Sequence, residues 1–204
     1  MTLEPTPPEL SPLDRQNVVT LEKDQPSRAR RILSEAVQTI GLALILFLII
    51  NFLSARIRVD GRSMEPSFHD GDYVIVNRLA YRLGDLDHGD VIVFPYPLNT
   101  EEDFIKRVIA LPGDRIAITD GLVAVNGIPL EEDYLDVIPH GDMAEIIVPL
   151  GHVFVMGDNR NDSSDSRIWG ALDVEQIIGK AVYRYWPISD AGSVDHPALA
   201  QIAQ

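Results

Sequence analysis

Lysine is scarce in this chain, and its placement is informative. Of 17 basic residues only three are Lys, at positions 23, 106 and 180. Arg fills the ordinary solvent-facing roles. Lys106 stands in the apolar, strand-like run Phe104-Ile-Lys-Arg-Val-Ile109. An ammonium among apolar neighbours loses hydration, which disfavours its charged form. Arg cannot surrender its proton under that pressure, whereas Lys can. To serve as a general base near neutrality a Lys must fall from ~10.4 to roughly 7–8. That is a loss on the order of 4 kcal/mol of ammonium stabilisation, which the fold has to supply by burial. The alternative is a Lys that snorkels from a strand edge, and spacing alone leaves both readings open.

Ser63 lies in Val59-Asp-Gly-Arg-Ser-Met-Glu-Pro66. A Gly before it and a Pro after it make a rigid turn that can expose Oγ and the backbone N–H, although Ser in a Gly/Pro loop is also an ordinary turn residue. A third stretch, Gly157-Asp-Asn-Arg-Asn-Asp-Ser-Ser-Asp-Ser-Arg167, is densely polar and follows an apolar strand pattern. Its acids Asp158, Asp162 and Asp165 do not fit a calcium loop of the EF-hand type, which needs Gly and Glu at fixed positions. The stretch reads better as Asp–Arg pairs and hydroxyls that fix neighbouring groups. The His residues offer no competing base: His69, His88 and His152 precede strands at turns, His140 sits in an acidic loop and His196 in the tail. None has the neighbours of a metal cluster or a Ser-His-Asp set. No metal and no cofactor is expected.

The scaffold around these residues reads as β. Three Gly-Asp turns, at 71–72, 89–90 and 113–114, each lead into a short Val/Ile run: YVIV, VIVF and RIAI. Gly supplies the positive φ of such turns, and the runs suit strands buried on both faces. Asp120-Gly121 and Asn126-Gly127 flank LVAV and predict a small meander with tight hairpin turns. Val153–Met156 and Ala181–Trp186 supply further strands.

Bulk properties narrow the function. The net charge of −14 argues against a general phosphate-backbone binder, and the absence of Cys excludes a disulfide framework or a thiol nucleophile. Residues 36–53, AVQTIGLALILFLIINFL, carry no charge and just span a hydrocarbon core of ~30 Å. The segment reads as an uncleaved anchor, against the alternatives of a buried core helix or a shorter signal peptide. Lys23, Arg28, Arg30 and Arg31 before it, against Arg56, Arg58 and Arg62 after it, favour a cytoplasmic N-terminus only slightly. The Pro-rich, acidic start reads as disordered.

The three blocks, in this order, resemble the type I signal peptidase family. Gly-x-Ser-Met-x-Pro falls at 61–66, Lys-Arg-Val-Ile-Ala-Leu-Pro-Gly-Asp at 106–114, and the Gly-Asp-Asn-Arg-Asn block at 157–167. The resemblance covers about residues 36–186. It implies a mostly β, signal-peptidase-like domain over 55–204, with 115–150 as a reduced second β lobe. The domain would follow a cytoplasmic tail (1–31) and a single transmembrane helix (36–53), and would lie on the extracytoplasmic side of the plasma (inner) membrane. It further implies removal of signal peptides from secretory preproteins after small residues, without nucleic acid or metal. Ser63 is then the nucleophile and Lys106 its general base, the Ser–Lys variant of nucleophilic catalysis. Ser163 matches the hydroxyl that orients the amine, Asp165 and Arg167 a structural ion pair, and Asp158 a partner for Arg107. The Ser63 N–H would bind the oxyanion; one branch of the family has a Ser as second donor where this chain has Gly61. An extended substrate would lie beside Ile57–Val59 and the Lys106 strand, with Ile57, Val59, Met64, Phe68, Phe104 and Ile105 as an apolar wall. Self-cleaving repressors use Ser–Lys chemistry on a similar fold, but they need a DNA-binding region where this chain has an anchor. A catalytically dead binding module would lack Ser63 or Lys106.

Overall fold

The computed structural model describes residues 28–136 and 139–197. The tail expected over 1–31 lies outside the described residues as far as residue 27, and its last four residues are helical. The chain divides into two units, 1–46 and 47–204. The described part of the first is helix: α1 runs Arg28–Leu53 and ends inside the second unit. Its 26 residues span about 39 Å, longer than the expected 36–53. The added turns are charged, and Arg31 Nε donates to Glu35 Oε1 at 3.0 Å, an i,i+4 pair that favours helix. None of its residues is buried, which sets aside the core-helix alternative, and among the described residues it is the one helix long and apolar enough to cross a membrane.

The second unit is built from antiparallel strands, as the Gly-Asp pattern leads one to expect. The strands of the main sheet are β1 (Ser54–Arg58), β2 (Tyr73–Asn77), β3 (Val91–Tyr96), β4 (Asn99–Ala110), β9 (His152–Met156), β10 (Leu172–Asp173), β11 (Gly179–Trp186) and β12 (Gly192–Ser193). Their order is β1-β2-β11-β3-β4-β9-β10, with β12 beside β11. A second sheet holds β5 (Arg115–Thr119), β6 (Leu122–Val125), β7 (Ile128–Pro129) and β8 (Met143–Ile147), ordered β7-β6-β5-β8. Both hairpin dipeptides take positive φ, 51° and 80° at Asp120-Gly121 and 54° and 81° at Asn126-Gly127, as type I′ turns require.

Burial on both faces holds for β3: Val91 and Val93 join one core cluster, Ile92 and Phe94 another. It fails for β2 and β5, which alternate, because each has one face towards the core and one towards solvent. A third cluster joins the sheets, packing Ile109, Phe154 and Met156 against Ile116, Val125 and Val148. The short helices α2 (Ala80–Leu83) and α3 (Ser166–Trp169) lie in connections.

Candidate active site

Ser63 sits on a loop closed at its base by backbone bonds, Val59 N–H to Asp72 O at 2.8 Å and Gly71 N–H to Val59 O at 2.9 Å. Met64 and Phe68 bury themselves in the core at 1% and 3% exposure and so anchor the loop from beneath. Gly61 takes φ +88°, and its N–H donates to Asp70 Oδ1 at 3.0 Å. That N–H is therefore engaged, while the Ser63 N–H donates to no acceptor among the described residues.

Lys106 lies in the middle of β4, opposite Ile92 of β3. It is 3% exposed, and its Nζ donates to Ser63 Oγ at 2.7 Å and to Ile105 O at 3.0 Å. The amine also lies 4.9 Å from the centroid of the Phe104 ring. Burial pushes its pKa down from 10.5 to about 8, offset in part by the carboxylates of Asp165 and Asp158. The neutral amine, the form able to accept a proton, is thereby brought towards the neutral pH range.

The 157–167 loop holds the Ser63 loop in place. Asn159 N–H donates to Ser63 O at 3.0 Å, and Asn159 Nδ2 to Arg62 O at 3.2 Å. Arg107 forks onto Asp158 at 2.9 and 2.7 Å, with both side chains out of solvent. Arg167 forks onto Asp165 at 2.8 and 2.7 Å, and Asp165 Oδ2 also accepts the Gly157 N–H at 3.0 Å. Burial would raise the Asp165 carboxyl, but Arg167, the Gly157 N–H and the nearby Ser163 hydroxyl hold it below the usual carboxylate range. Gly157 has no room for a side chain: a Cβ there would lie 2.3 Å from both Ser163 Oγ and Ser63 O.

Ser163 differs from its expected arrangement. Its Oγ is buried beside Gly157 but makes no hydrogen bond within normal geometry, and Lys106 Nζ is bonded to Ser63 Oγ and the Ile105 carbonyl.

A cleft of about 920 Å³ opens over the pair. It runs between β1, the terminal strand of the sheet, and the stretch of β4 before Arg107, which pairs with β3 and not with β9. Both walls thus offer unpaired strand edges. Of the expected apolar wall, Ile57, Val59, Phe104 and Ile105 line the cleft. Met64 and Phe68 do not, because the loop spends them as core anchors.

A match to the family described as signal peptidase, peptidase S26, spans residues 32–186. The chain belongs to this family. Signal peptidase I of Leptolyngbya laminosa is 39% identical over 174 residues, 81% of this chain and 85% of its own. Signal peptidase IB of Staphylococcus aureus is 34% identical over 180 residues, 79% of this chain and 93% of its own. A crystal structure of a signal peptidase I from Enterococcus faecalis V583 is 31% identical, covers 48% of this chain and 97% of its own, and superposes with a TM-score of 0.44. All three motif blocks fall inside the matched span, and the repressor alternative gives way to membership among the signal peptidases.

Sequence reasoning missed several members of this signal peptidase site. Asn159 read as one more polar loop residue, yet it clamps the Ser63 loop through both its backbone and its side chain. Arg160, 2% exposed, pairs with Glu132, and Tyr134 joins them. Twenty-eight positions separate Arg160 from Glu132, and no local spacing signals such a pair.

Proposed function

We propose that this chain is a membrane-anchored endopeptidase that removes N-terminal signal peptides from exported preproteins, cutting after small residues at Ala-x-Ala sites. The observation that carries the reading is the 2.7 Å bond between Lys106 Nζ and Ser63 Oγ in a cleft bounded by two free strand edges.

In this reading the neutral Lys106 amine takes the Ser63 proton as Oγ attacks the scissile carbonyl. The Ser63 N–H receives the developing oxyanion. Lys106, now an ammonium, protonates the departing amine of the mature protein and leaves the signal peptide esterified to Ser63. The amine then deprotonates the water that hydrolyses the ester. Asp158, Arg107, Asp165 and Arg167 act structurally by holding the loop that carries Asn159, and Ser163, whose buried Oγ has no hydrogen-bond partner among the described residues of the substrate-free site, is the hydroxyl proposed to orient the Lys106 amine during the reaction. The substrate adds as a strand beside β1 and β4, and Ile57, Val59, Phe104 and Ile105, which line the cleft, form the wall that receives its small alternate side chains.

The anchor holds the enzyme in the plasma (inner) membrane with its N-terminus cytoplasmic and the second unit outside. Trp186 and Ile188 are exposed at 51% and 75% and suit contact with the lipid interface. Right-side-out vesicles carrying the chain are expected to cleave an added preprotein with Ala at the cut site, and to leave uncut the same preprotein with Phe there. Intact inverted vesicles are expected to need detergent. Cleavage by intact inverted vesicles would reverse the orientation, and equal cleavage of the Phe substrate would remove the small-residue pocket.

A further inference from the structure

We propose that Glu132 and Tyr134, on the segment that follows β7, are positioning residues that set the alignment of Lys106 with Ser63. The inference rests on the Ser–Lys reading above. Neither residue lines the cleft, and neither belongs to the three motif blocks.

The geometry reaches the pair from both sides. On the Ser63 side, Arg160 Nη1 donates to Glu132 Oε2 at 2.8 Å, and Arg160 Nη2 binds Glu132 Oε1 and the Tyr134 hydroxyl, the latter at 3.1 Å. Tyr134 OH donates in turn to Glu132 Oε1 at 2.6 Å. The remaining edge of the guanidinium, Nε, donates to Gly157 O at 3.2 Å, and Arg160 N–H donates to Asp158 O at 3.0 Å. Those bonds fix the turn whose Asn159 N–H holds the Ser63 carbonyl. On the Lys106 side, the Tyr134 ring lies 4.3 Å from the guanidinium carbon of Arg107, the next residue along β4. Arg107 is itself forked onto Asp158. One short segment thus braces both the loop that holds the nucleophile and the strand that carries the base.

The bracing group is an ion pair out of solvent, with Arg160 and Glu132 side chains 0% and 8% exposed. A well-packed apolar pair would serve stability as well or better. What the fork adds is a fixed direction for the guanidinium, and so for the Gly157 carbonyl. Burial pushes the Tyr134 phenol up, so its hydroxyl stays a donor across the assay range. Placement matters here because a shift of about 1 Å between reacting groups can cost on the order of a hundredfold in rate.

The test is steady-state kinetics of the full chain in detergent micelles on a signal-peptide substrate, from pH 6 to 10, with Glu132→Gln, Tyr134→Phe and, as a control, Lys106→Ala. Tyr134→Phe keeps the ring over Arg107 and removes only the hydroxyl. Its kcat is expected to fall about three- to tenfold with KM within about twofold. Glu132→Gln is expected to lose about ten- to a hundredfold. The charged groups that bear on Lys106 are Asp165 and Asp158, which both variants retain. A loosened site admits water, raises the amine's pKa and moves the midpoint of the kcat profile to higher pH. A merely structural role would lower the melting temperature and leave that midpoint in place. Native kcat and midpoint in folded Tyr134→Phe, with Lys106→Ala inactive, would overturn the positioning role while the Ser–Lys reading stands. An active Lys106→Ala would instead overturn that reading. If Glu132→Gln does not fold, Tyr134→Phe decides alone.

Discussion

Lys106→Arg is expected to be as inactive as Lys106→Ala, each losing at least about a thousandfold in kcat, since residues of a catalytic unit fail together. The chemistry needs an amine that can lose its proton, and a guanidinium keeps it at every pH a protein tolerates. In the native chain, burial holds Lys106 at about 8. The free base is the active form, so kcat/KM, which reports the substrate-free site, is expected to rise with pH through a midpoint near that value and to fall away below it. Both variants should lose this limb together with the activity. Steady-state rates across pH 6–10, with circular dichroism to show that each variant folds, check the prediction. Substantial activity in the Arg variant would mean that position 106 supplies charge and not basicity.

Asp158→Ala is expected to destabilise the chain by about 3–5 kcal/mol, because it strands a buried guanidinium without its counter-charge. Arg107 is 1% exposed. Without Asp158 it keeps Gly89 O at 2.9 Å, Asp195 O at 3.2 Å and Ser67 Oγ at 3.4 Å as acceptors, all uncharged. A loss of that size is a large share of the ~5–15 kcal/mol that holds a typical domain together. Replacing both partners, as Arg107→Met with Asp158→Ala, should recover much of it, since the cost is that of an unpaired charge. Chemical denaturation in a fixed detergent measures both. A change below about 1 kcal/mol in the single variant would show that Arg107 finds water or another acid, and that the pair does not lock β4 to the 157–167 loop.

Much of this was legible because local chemistry dictated it. The Asp120-Gly121 and Asn126-Gly127 dipeptides adopt a backbone that few other residues tolerate, so their hairpins could be read directly. The scarcity of Lys singled out position 106, and motif order tied it to Ser63. The start of α1 was not legible, because Arg28–Glu35 extends the helix with charged helix formers that leave no trace in hydropathy. Met64 and Phe68 flank the nucleophile in sequence and so looked like pocket wall, yet loop closure turns both into the core. Arg160, Glu132 and Tyr134 meet only because the segment after β7 returns to the 157–167 loop, a long-range pairing that no periodicity encodes.

The most direct test of the central claim is cleavage of a purified preprotein by the detergent-solubilised native chain beside its Ser63→Ala variant, with the product's new N-terminus sequenced. The native chain is expected to release one mature protein whose N-terminus follows a small residue, and the variant, folded and equally soluble, to release none. Cleavage at the same bond by Ser63→Ala would contradict the assignment of Ser63 as nucleophile and with it the account of this site.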